Sequence, residues 1–161
     1  MSVNRYAPHV YILPEDDANR QLANGFLLEP SIIGNNIRVL HEAGGWNTVL
    51  EQFCTIYATE MDKYDQRFMV LLIDCDGRPE RVEESKKHIP SHLANRVFIL
   101  SSLTEPEKLK QELTQSYENI GLSLARDCRE QTETVWNHNL LVHNLSEVAR
   151  FREHAGHILF K

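Results

Sequence analysis

Four short runs of apolar residues punctuate the first hundred positions. Segments of helical spacing separate them, and that alternation sets the architecture. His9 to Leu13 is rich in β-branched and aromatic residues and is closed by Pro14, which reads as a buried strand. Ala18, Leu22 and Phe26 then recur at a four-residue step, the mark of a helix face. Pro30 to Asn36 has turn chemistry, and Ile37 to Leu40 is a second short strand. After the break at Gly44 and Gly45, one long helix is expected from about Trp46 to Tyr64. Its apolar face would carry Trp46, Val49, Leu50, Phe53, Tyr57 and Met61. Phe68 to Ile73 is apolar without alternation, so it should be buried on both faces at the centre of a parallel sheet. A polar helix over Pro79 to Lys87 and a fourth strand over Arg96 to Leu100 complete the series.

Beyond Ser102 the pattern becomes helical. Glu105 to Leu113, Tyr117 to Cys128, Thr132 to Asn144 and Ser146 to His157 are the expected segments, and HILFK at 157–161 reads as a short strand. Strands alternating with helices imply right-handed βαβ units. The expected fold is therefore a Rossmann-like, three-layer α/β domain with a central parallel four-stranded sheet over residues 1–103. A helical extension over 104–161 completes it as a single domain. The extension's apolar faces must be covered by the core or by a second copy of the chain in a homodimer.

The 161 residues carry a net charge of −6, which excludes a protein that coats nucleic acid by charge alone and leaves room for a local basic groove. Three dispersed cysteines form neither a disulfide framework nor a zinc knuckle, so reduced thiols in a cytoplasmic protein are expected. The opening residues lack the features of a signal peptide, and no apolar run is long enough to span a bilayer. The eight histidines show no HExxH or Cys-paired zinc spacing.

Ligands of open α/β sheets bind beyond the carboxyl ends of the strands. Two acidic groups stand there: Glu15, Asp16 and Asp17 after the first strand, and Asp74 and Asp76 after the third. Carboxylates without histidine or thiolate are hard oxygen ligands suited to Mg²⁺ or Mn²⁺. Acids at a helix start also suit the helix dipole, and Asp76-Gly77 is a common turn pair. Glu107 is a further candidate for a second metal site, against a capping box with Thr104.

VYILPE at 10–15 and VLLIDCDG at 70–77, with 59 residues from Glu15 to Asp74, resemble the Toprim domain of topoisomerases, DnaG-type primases and OLD-family nucleases. AGGW at 43–46 is similar to a glycine-containing step in the small Toprim-like proteins of bacterial defence loci. The resemblance covers residues 8–103. It implies Glu15 as catalytic acid/base or ligand, Asp74 and Asp76 as the metal pair, and an ATPase partner subunit. Asp16 and Asp17 stand where the family usually has glycine and are secondary candidates. Arg78 replaces a third aspartate, and no tyrosine-bearing domain is present, so the resemblance implies a nuclease-like phosphodiester hydrolase acting on nucleic acid. Two other readings fit the residues. One is a receiver-like signalling module built on Asp16 or Asp17, Asp74, and Ser101 or Ser102, though no fifth strand ends in lysine. The other is a binding module in which the acids only cap and turn.

Overall fold

A computed structural model describes residues 2–161. Four parallel strands form one sheet in the order β2-β1-β3-β4: β1 (His9–Pro14), β2 (Ile37–Val39), β3 (Arg67–Asp74) and β4 (Val97–Ser102). Strands β1 and β3 are central and adjacent, with Val10 opposite Phe68 and Leu13 opposite Leu71. Every residue of β1 is buried, as its unbroken apolar run requires. Seven α-helices surround the sheet among the described residues: α1 (Asp17–Phe26), α2 (Trp46–Gln52), α3 (Ala58–Lys63), α4 (Glu80–Lys86), α5 (Pro106–Leu113), α6 (Tyr117–Glu130) and α7 (Leu145–Leu159). Two apolar layers result. Tyr11, Leu13, Met69 and Leu71 face α2 and α3, while Ile12, Val70 and Phe98 face α1, α6 and α7.

The expected long helix exists but is not uniform. A π turn over Phe53–Tyr57 links α2 to α3, and the Ala58 amide donates to the Phe53 carbonyl. The extra residue keeps Phe53, Ala58 and Met61 on one buried face, while Cys54, Thr55 and Ile56 turn outward.

The extension packs on the α/β core of its own chain. Tyr117, Ile120, Leu124, Trp136, Leu140 and Val148 all join the layer beneath α1. Helices α1 and α6 meet backbone to backbone: a Cβ on Gly25 would fall 2.2 Å from the Glu118 carbonyl oxygen, and one on Gly121 would fall 2.0 Å from that of Leu22. The tail also covers the open edge of β4. The Ile99 amide donates to Glu147 at 2.8 Å and the Ser101 amide to Asn144 at 3.0 Å. Asn144 Nδ2 returns a bond to the Ser101 carbonyl at 2.7 Å. Two side chains thus supply what a fifth strand would.

Three local expectations are corrected. Residues 132–141 are not a helix, and only a 3₁₀ turn forms at Val142–Asn144. The chain leaves α6 through Gln131 at φ 59° and folds around the Asp127 carboxylate. That carboxylate accepts from Thr132 Oγ1 at 2.7 Å, the Val135 amide at 2.6 Å and the Trp136 amide at 3.3 Å. Second, α7 runs to Leu159, so the expected terminal strand shrinks to a single bridge between Phe160 and Ile32. Third, no capping box forms at α5. Glu105 is the N-cap, its side chain makes no cap bond, and Pro106 opens the helix.

Candidate metal centre

Strand order reverses between β1 and β3, because the chain moves outward from β1 to β2 and then crosses to the other side. This is the switch point at which open α/β sheets bind ligands. Glu15 leaves β1 there, and its amide donates to the Leu72 carbonyl of β3 at 2.9 Å. Asp74 is the last residue of β3. Asp16 is the N-cap of α1 and accepts from the Asn19 amide at 2.9 Å. One carboxylate oxygen from each of Glu15, Asp16 and Asp74 lies within 4.8 Å of the other two.

Glu15 and Asp74 are buried, at 7% and 4% exposure, whereas Asp16 is half-buried. Burial pushes the Asp74 carboxyl up to about 8, and repulsion from Asp16 and Glu15 adds to it. Burial also raises Glu15, opposed by a hydrogen bond from Asp74. Asn19 Nδ2 donates to Asp74 Oδ1 at 3.0 Å, and Ser102 Oγ lies 3.4 Å from the same oxygen. Glu15 Oε1 is buried without a hydrogen-bond donor. An acceptor sealed from water and left without a partner, beside two further carboxylates, is the donor set that a hard divalent cation fits.

Asp76 stands at the mouth of the cleft, exposed and at φ 50° in the turn before Gly77. It accepts from Arg81 Nη1 at 3.1 Å. Arg81 also donates to the Asp74 carbonyl at 3.0 Å, and its guanidinium lies 4.4 Å from the centre of the Trp46 ring. Glu15, Gly45, Trp46, Thr48, Asp76 and Arg81 line the cleft, so Glu15 is the member of the acidic triad that reaches it, with Arg81 on the cleft's wall.

The remaining candidates lie elsewhere. Asp17 is exposed and is held by Arg20 and Gln21, each at 2.7 Å, as first-turn helix electrostatics predicts. Glu107 is exposed on α5 and borders a separate groove with Lys110 and Tyr117. Asn19 and Arg81 were not singled out by the sequence. Asn19 carried a usable signal, since it shares the buried stripe of Ala18, Leu22 and Ala23 in α1. A polar residue on an apolar stripe one turn after a candidate site calls for a polar partner.

No protein-family model, curated protein or solved structure matches this chain. No helix among the described residues is long and apolar enough to cross a membrane.

Proposed function

We propose that the chain is a Toprim-like, Mg²⁺- or Mn²⁺-dependent phosphodiester hydrolase acting on nucleic acid. One observation carries the reading: Glu15, Asp16 and Asp74 converge at the switch point between β1 and β3. A divalent ion bound there would neutralise charge on a phosphate and make water a stronger nucleophile. Asp74, Asp16 and Glu15 Oε1 would hold the ion. Glu15 would take a proton from the attacking water at its other carboxylate oxygen. Arg81, fixed by the Asp74 carbonyl and the Trp46 ring, faces the phosphate from the opposite wall. Asp76 is paired with Arg81 rather than with the acidic triad; a phosphate bound to Arg81 would release it.

The test is cleavage of labelled single-stranded or nicked DNA by purified protein with Mn²⁺. Glu15→Gln should lower the rate by ~10²–10⁴-fold, as expected for loss of a general base. Asp74→Asn should abolish metal-dependent cleavage. Activity that survives both substitutions overturns the reading.

A receiver-like reading draws support from two observations. The order β2-β1-β3-β4 is that of the first four strands of receiver-type folds, and Ser102 at the end of β4 reaches Asp74. Against it, Asn144 and Glu147 occupy the edge where a fifth strand would add. Phosphorylation of Asp74 by acetyl phosphate, with no cleavage by the wild type, would favour this alternative.

A further inference from the structure

We infer that the opposite end of the sheet carries a second, separate site, which binds the backbone and a base of single-stranded nucleic acid. The inference rests on the reading of the chain as acting on nucleic acid. It concerns residues roughly 16–23 Å along the strands from the acidic cleft, Arg67 lying a full length of β3 away and Arg38 at the level of Met69. Four cations gather there around two tyrosine rings. Arg67, at the start of β3, is fully buried. Its guanidinium lies 4.0 Å from the centre of the Tyr11 ring and 4.9 Å from that of Tyr64. Arg38 lies 5.9 Å from the Tyr11 ring, while Arg5 and Lys63 lie 5.6 Å and 5.3 Å from the Tyr64 ring.

Charge decides what such a cluster is for. Glu60 pairs with Arg67 at 2.5 Å, and Arg67 also donates to His9 Nε2 at 3.0 Å. Asp62, on the same helix, is taken by His92 at 2.7 Å. Arg5, Arg38 and Lys63 are exposed, and none pairs with a carboxylate among the described residues. Nη2 of Arg67 is buried with no hydrogen-bond partner, so the deepest cation of the cluster is itself incompletely satisfied. Glu60 pairs with one of the four cations, so positive charge remains in excess there and an added anion would offset it. In a chain of net charge −6 that concentration is local and specific.

The aromatic component selects the polyanion. Tyr6 is the most exposed large hydrophobic residue at 78%, and it is braced edge-on against Tyr64 at 5.7 Å. A free ring beside unpaired arginines is the combination that binds single strands: cations take the phosphates and the ring stacks a base. An acidic protein would use the cations and leave Tyr6 idle.

The experiment is fluorescence anisotropy of the full chain with an oligothymidylate of about 20 nucleotides in EDTA at low salt, a length that covers one or more single-strand sites. An abasic strand of equal length is the control. The triple variant Arg5→Gln, Arg38→Gln, Lys63→Gln should weaken binding at least ~10-fold and flatten the salt dependence by about 2 in log–log slope. Tyr6→Ala should weaken binding of oligothymidylate ~5-fold or more, with no effect on the abasic strand. All four positions are exposed, so the variants should keep the wild-type melting curve. Equal binding by the triple variant, or equal loss for the two strands in Tyr6→Ala, overturns the inference. Failure of Mn²⁺ to bind the acidic cleft would strike the hydrolase reading and leave this site standing.

Discussion

Asn19 and Asp74 are joined by a buried hydrogen bond of 3.0 Å, from Nδ2 of the first helix to Oδ1 at the end of the central strand. The bond crosses 55 positions of sequence and fixes the acidic cleft to its scaffold. It also favours the ionised form of Asp74, against the burial that raises it. Asn19→Ala should therefore destabilise the fold by ~1–3 kcal/mol. It should lower Mn²⁺ affinity ~10–100-fold, as loss of a partner that orients a ligand does. Urea unfolding and metal titration of the same variant check both.

The buried Asp74 makes the metal-free protein pH-sensitive. Its carboxyl titrates near 8 in the native state against an ordinary value of 3.8, so the native state holds more protons than the unfolded chain between those limits. By linkage, stability falls as pH rises from about 4 to about 8. Asp74→Asn removes that proton dependence. In EDTA at pH 8 the variant should melt higher by ~2–12 °C, equivalent to ~1–3 kcal/mol for a chain of this size. A wild-type melting temperature that does not change across this range would show that Asp74 ionises freely.

Glycine inside a helix normally gains stability on replacement by alanine, by ~0.5–1 kcal/mol. Gly25 and Gly121 should do the reverse. Their absent Cβ atoms would meet backbone, which cannot swing aside. Either Gly25→Ala or Gly121→Ala should cost ~1–3 kcal/mol or more by forcing α1 and α6 apart. Gly156 is the internal control, since a Cβ there would meet only the flexible Arg152 side chain at 3.3 Å.

Much of the fold was legible because burial writes itself into periodicity. FMVLLI could only be a strand covered on both faces, and the four-residue step of Ala18, Leu22 and Phe26 could only be a helix face. What escaped was set by side chains distant in sequence. Residues 132–141 carry apolar groups at helical spacing, yet three hydrogen bonds to Asp127 hold them in turns. The π turn at Phe53–Tyr57 is one extra residue, too small a phase change to read from composition. At the cleft, the strand ends announced Glu15 and Asp74. Which other acid joins them depends on a rotation the sequence does not encode: Asp16 turns in as an N-cap, and Asp76 turns out to Arg81.

The tail's role at the sheet edge is equally specific. Asn144→Ala leaves the amide and carbonyl of Ser101 unpaired in a buried site, at ~1–3 kcal/mol each. Urea unfolding should show that loss. A chain ending at Ser116 would uncover Ile12, Val70 and Phe98 together with β4's edge, and should bind a hydrophobic dye and aggregate. A soluble, cooperatively folded truncation would show that the extension is a separate module.

The central claim is that Glu15, Asp16 and Asp74 form a site for a hard divalent cation, and Mn²⁺ binding followed by electron paramagnetic resonance tests it most directly. Free Mn²⁺ gives a six-line signal that fades as the ion is bound, without need of substrate or activity. The expected result is one ion per chain, tighter at pH 8 than at pH 6 because the Asp74 proton must leave, and absent in Asp74→Asn. Mn²⁺ that stays free at millimolar concentration, or that binds Asp74→Asn as tightly as wild type, would contradict it.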